Sequence, residues 1–188
     1  KWGKQVSFYY GADNDLVGYE DSPLKNTESF VKHYQEQGYE AGKNGMETIN
    51  YTGEKISKGI IRDANGIIYR VDKNGNKIST VNGVTITQYA GFKARRSDVY
   101  ISPHATLRGF DITIRHEHIH VYHHNKYGYG YHDDSEYVAK EWTRLHNPYE
   151  TNKYSQGRIS VFDVPNMVKN YVSPFPSVPT WKLLFSIK

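Results

Sequence analysis

Two hydrophobic rhythms divide the chain. From Met46 to Phe92, short apolar runs are broken by turn signals: Ile60-Ile61, Ile67 to Val71, Ile78 to Val81 and Val84 to Ile86 are separated by Asp63-Ala64-Asn65-Gly66, Asp72-Lys73-Asn74-Gly75 and Asn82-Gly83. Asn-Gly between strand-like runs is a strong hairpin signal, because a type I′ turn needs positive φ at both central residues. The pattern predicts an antiparallel meander of three or four strands, with a further strand at Val99-Tyr100-Ile101 ending at Pro103. The recurring Asp-x-Asn-Gly also resembles the start of a calcium loop, but the later acidic ligands of such a loop are missing.

Elsewhere the spacing is helical. Phe30, Val31 and Tyr34 predict a helix capped by Asn26 or Thr27 and stopped at Gly38, preceded by a short strand near Phe8-Tyr9-Tyr10. A second helix is expected from an N-cap at Asp111 to about Asn125, ending before Gly128. At 100° per residue, Ile112, His116, Ile119, His120 and His123 form one stripe, while Ile114, His118 and Val121 lie nearly opposite. A helix apolar on two sides is packed between two layers. A third helix starts with Asp133 at its N-cap and Glu136 in its first turn, and is ended by Asn147-Pro148. Residues 148–188 carry Pro148, Pro165, Pro174, Pro176 and Pro179 and read as loop with short strand-like pieces.

The fold expected is α+β in one domain over residues 1–188: an N-terminal strand and helix (1–45), the meander (46–102), a pair of helices (103–147) and the proline-rich tail. Although only 37% of residues are hydrophobic, 17 Tyr and 7 Phe supply large buried area for a core. The net charge of +4 is spread along the chain without a basic block, which argues against nucleic acid as a partner. With no Cys, disulfides, thiolate metal sites and cysteine nucleophiles are excluded. No apolar run approaches the length of a membrane span and no signal-peptide core is present. The chain opens on Lys1, as expected of a piece of a longer polypeptide or a processed product.

Six of the nine His fall between His116 and His132. Within them, His116-Glu117-x-x-His120 places two imidazoles on one helical face with a carboxylate beside them, the arrangement that metal-assisted hydrolysis needs. His118 points away from that pair, while His123 is a candidate pocket residue. The link to the third helix is long enough for the two helices to lie side by side, so Glu136 can face the histidines, and Ala139 is small enough to let the backbones approach.

His116-Glu117-x-x-His120 followed by Glu136-x-x-Ala139 resembles a gluzincin-type zinc metallopeptidase. The wider stretch from Phe110 to Tyr137 is similar to metallopeptidase toxin domains at the C-termini of RHS-type bacterial polymorphic toxins. The resemblance covers roughly residues 105–142. It implies a zincin-like fold, zinc held by His116, His120 and Glu136, and Glu117 as general base on a water held by the metal. It further implies a protein or peptide substrate, a cognate immunity protein, and secretion or delivery into a target cell within a larger protein. The short spacing from His120 to Glu136 departs from the usual gluzincin pattern and keeps Asp133, Asp134 and His132 in contention as third ligand. Tyr127, Tyr131, Tyr154 and His132 are equal candidates for stabilising an oxyanion. Two other function classes compete: a metal-dependent nuclease built on His123-His124-Asn125, and a non-catalytic binding module stabilised by metal.

Overall fold

The computed structural model describes residues 9–10, 16–18, 23–36, 38–39, 47–50, 55–129 and 135–146. Within them the protein is α+β, with an antiparallel sheet and three helices: α1 (Pro23–Glu36), α2 (Leu107–Tyr127) and α3 (Ser135–His146). The expected tail, together with Tyr131, His132, Asp133, Asp134 and Tyr154, lies outside the described residues.

The meander forms as an antiparallel sheet of β4 (Lys55–Ser57), β5 (Ile60–Arg62), β6 (Ile68–Val71) and β7 (Lys77–Val81), in sequence order. Its two Asp-x-Asn-Gly turns are hairpin turns. Asp63 Oδ1 accepts from the Asn65 and Ile67 amides (both 3.0 Å), Asp72 Oδ1 does the same for Asn74 and Asn76 (both 2.8 Å), and Gly66 and Gly75 take φ of 80° and 86°. The carboxylates are thus consumed by their own turns.

The third turn signal behaves differently, and the expectation of one meander over 46–102 needs correcting. Asn82-Gly83 does not fold β7 back on its neighbour. β8 (Gly83–Ala90) pairs with β9 (Lys93–Ile101), and β9 pairs in parallel with β3 (Glu47–Asn50), giving a second sheet in the order β3-β9-β8. At Asn82 the chain crosses from one sheet to the other. Ser102, buried at the end of β9, ties them together: its amide donates to Asn82 O (2.8 Å), its hydroxyl donates to Val81 O (2.5 Å) and accepts from the Ile68 amide (3.1 Å). Arg62 adds a hydrogen bond to Ile101 O (3.0 Å). β1 (Tyr9–Tyr10) and β2 (Leu16–Gly18) form a separate antiparallel pair.

Both helix starts sit earlier than expected. Thr106, with extended φ, is the N-cap of α2, its hydroxyl accepting from the Gly109 amide at 3.1 Å. Asp111 instead lies inside the helix, where it pairs with Arg115 (2.8 Å) and accepts from the buried Tyr34 hydroxyl of α1. Burial, reinforced by the Asp111 charge, pushes the Tyr34 phenol well above its ordinary pKa. Likewise α1 opens at Pro23, whose missing N–H is no loss in a first turn. Thr27 sits one turn in and bridges Pro23 O (2.8 Å) to the His104 amide (2.7 Å).

As the two apolar stripes demand, α2 is packed on both sides. Phe110, Ile114 and Val121 join Phe30, Tyr34, Val99 and Ile101 in the larger core, between α1 and β9. On the other side Ile119 meets Val138, Ala139 and Trp142 of α3.

Candidate metal centre

His116 and His120, one turn apart on α2, have ring centroids 5.2 Å apart at 75°. Glu136, in the first turn of α3, reaches both: its Oε1 lies 3.8 Å from His116 Nε2 and its Oε2 lies 3.4 Å from His120 Nε2. One ligand atom from each of the three lies within 4.8 Å of the others. An ion with bonds of 2.0–2.1 Å in tetrahedral geometry sets its ligands about 3.4 Å apart, so the three donors sit close to binding distance already. The cluster can hold a metal ion. What brings Glu136 there is α3 docking through Ala139, fully buried, where a larger side chain would push the helices apart.

The fold adds Thr143, which the sequence motif does not contain. Its hydroxyl donates to Ala139 O (2.9 Å) and lies 2.9 Å from His116 Nδ1. Because its only proton is committed to the carbonyl, the hydroxyl must accept from Nδ1–H. That fixes the tautomer of the neutral His116 ring and leaves its Nε2 lone pair for an ion. The signal was present: Glu136, Ala139 and Thr143 recur on one face of α3.

Glu117 is buried beside the triad. The Thr85 hydroxyl of β8 donates to its Oε2 (2.8 Å), with the Glu117 carbonyl oxygen at 3.0 Å. Gly83 explains how it fits. This glycine does not adopt a positive φ and serves no tight turn. A Cβ there would meet Glu117 Cγ at 2.8 Å, Glu117 Oε1 at 2.9 Å and the Thr113 methyl at 2.9 Å. It is glycine because the start of β8 passes directly over the carboxylate.

His116, Glu117, Glu136 and Thr143 line a cavity of about 570 Å³ whose lining also includes Arg70, Ser79 and Asn82 from the two-sheet junction. Its electrostatics call for a cation. Burial disfavours the Glu136 carboxylate, but hydrogen bonding and charge from His116 and His120 overcome it and hold its pKa far below the usual carboxylate range. Burial also pushes the His116 imidazolium down, yet Glu136 and Glu117 together raise it above its ordinary value. A divalent ion at this place would compete with protons for the same donor atoms.

The other histidines of α2 lie outside the triad. His118 is buried on the opposite side of α2, and His123 stacks on Tyr127 (5.7 Å, 26°) without lining the cavity. His124 Nδ1 bonds the Tyr89 hydroxyl (2.5 Å), whose pKa is pushed up to about 12 by burial and by Tyr129. Tyr127 packs against the α3 cluster, outside the cavity lining. His104 is enclosed against Phe110, and burial pushes its pKa down to about 4.

Comparison with known proteins finds no matching family model, curated protein or solved structure. What the centre does must be argued from its own chemistry.

Proposed function

We propose that the protein is a zinc-dependent endopeptidase with a zincin-like catalytic arrangement. The observation that carries this reading is the convergence of two imidazoles and one carboxylate within 4.8 Å, with Glu117 lining a cavity beside His116 and Glu136. Two nitrogen donors and one oxygen donor suit zinc, and three protein ligands are the number a catalytic site uses while keeping one position open; structural sites close with four. Bound there, zinc supplies Lewis acidity and lowers the pKa of water towards neutrality.

The chain's own residues supply the rest. His116, with its tautomer fixed by Thr143, and His120 present neutral nitrogens, while Glu136 contributes the charge. Glu117, steadied by Thr85 and closely covered by Gly83, takes a proton from the attacking water and delivers it to the leaving amine. The burial of Glu117 beside His116 fits it as a proton carrier on one wall of a substrate-sized space. Following the resemblance of the motif region, the domain is proposed to be an effector delivered within a larger secreted bacterial protein, with protein substrates and a cognate immunity protein as partners.

Protein prepared without metal-affinity resin is expected to carry close to one zinc per chain by elemental analysis. Glu117→Gln should retain that zinc and lose about 10²- to 10⁴-fold in peptide hydrolysis, the usual contribution of a positioned acid–base group. Undiminished proteolysis by the variant would rule out this function.

A further inference from the structure

Arg70 faces the same cavity from a different sheet. Along β6, Ile68 is fully buried and Arg70, two residues on, shares its face, so the strand that anchors the junction also presents a guanidinium to the cavity wall. Arg70 is exposed, and among the described residues its guanidinium has no acidic partner. Lys140 lines the cavity too, one turn beyond Glu136, with its ammonium 3.4 Å from Glu136 Oε1.

Charge decides what such a cavity accepts. Among its lining residues the cations are Arg70 and Lys140, the anions are Glu117 and Glu136, and the one histidine, His116, is neutral once it acts as a ligand. A divalent ion then leaves an excess of positive charge, with Arg70 as the group not already engaged by an acid. A planar guanidinium with paired N–H donors matches a carboxylate in two parallel hydrogen bonds.

We propose that this wall selects peptides carrying a carboxylate next to the bond to be cleaved, and that Arg70 binds that carboxylate. The inference rests on the peptidase reading for the cleavage, and on the cavity with its metal ion bound for the binding preference. The carboxylate can come from an Asp or Glu side chain or from a chain terminus; the chemistry recognised is the same.

The test uses zinc-loaded protein and a pool of random-sequence peptides with free or amidated C-termini, with cleavage sites mapped by mass spectrometry. Enrichment of Asp or Glu at one fixed position beside the cut, in both pools, assigns the side chain as the source; cutting confined to the last residues of free-ended peptides assigns the terminus, and with it an exopeptidase in place of the endopeptidase proposed above. For peptide pairs differing only in that group (carboxylate against amide), Arg70→Gln should lower kcat/KM about tenfold on the acidic member and leave the amide member unchanged. Lys32→Gln on α1, which removes an equal charge far from the cavity, should change neither. Cleavage without acidic preference, or an equal loss on both members in Arg70→Gln, overturns the proposal while leaving the peptidase intact. A second readout needs no turnover: retention of the same pool on immobilised, zinc-loaded Glu117→Gln. Acidic peptides retained there and released by adding Arg70→Gln support the proposal even if no bond is ever cut, and indifferent retention overturns it.

Discussion

The two sides of α2 are built on different physical terms. Towards α1 and β9 the helix buries Phe110, Ile114 and Val121 in a large apolar core whose one charged element, Asp111, is satisfied by Tyr34 and Arg115. Towards α3 it adds Ile119, with Tyr122 and Tyr127 partly buried beside it, to a small cluster, and next to that cluster lies a triad in which His116 and His120 hold the Glu136 carboxylate in its charged form. One side holds through area removed from water. The other depends partly on what neutralises its charge, so its stability should respond to protons and divalent ions.

The largest expected effect belongs to the apolar side. Phe110 packs its ring 5.7 Å from Phe30 and 5.5 Å from Tyr34, and Phe110→Ala should cost about 3–5 kcal/mol in denaturant unfolding. The loss should be equal with and without zinc; a loss that zinc reverses would erase the contrast between the two sides.

Acid should act next, through His104. Its folded pKa of about 4 lies below the ordinary histidine value, so the unfolded chain takes up the proton first. The contribution is complete above about pH 6.5 and is lost as pH falls towards 4, at most about 3 kcal/mol. His104→Leu should flatten this limb relative to wild type, and parallel pH profiles for the two proteins would remove His104 as its source.

Zinc at about 100 times its dissociation constant should add about 2.7 kcal/mol. Hydrogen exchange should slow in α3 and leave α1 unaffected, and Glu136→Gln should remove the gain. Uniform slowing across all three helices would mean that the ion acts on the whole fold.

The smallest effect separates positioning from ligation. Thr143→Val keeps the shape but cannot accept from His116 Nδ1, so zinc affinity should fall about 10- to 100-fold in competition with a chelator. Thr143→Ser should restore it. Unchanged affinity in the valine variant would show that the Thr143 contact does not govern the imidazole.

The first two turn signals and the pairing of His116 with His120 were legible because their causes are local. Asp63 and Asp72 organise the backbone within a few residues of themselves, and side chains four apart on a helix share a face whatever surrounds them. Glu136 was legible in part: a short link and a small Ala139 made the approach of α3 feasible, but docking of the helix brought the carboxylate to the histidines.

Other roles depended on partners remote in sequence. Asp111 has the chemistry of an N-cap, but Tyr34, 77 residues away, draws it into a buried hydrogen bond, and Thr106 caps the helix. Gly83 has the form of a turn glycine, yet its lack of a side chain matters because Glu117, from another element, lies against it. Arg70 gains its place on the cavity wall only when Ser102 and Arg62 fasten one sheet to the other. Local geometry therefore determined which residues carry the chemistry. Long-range packing decided what surrounds them, because the meeting of two surfaces depends on every contact between them and not on the pattern along either one.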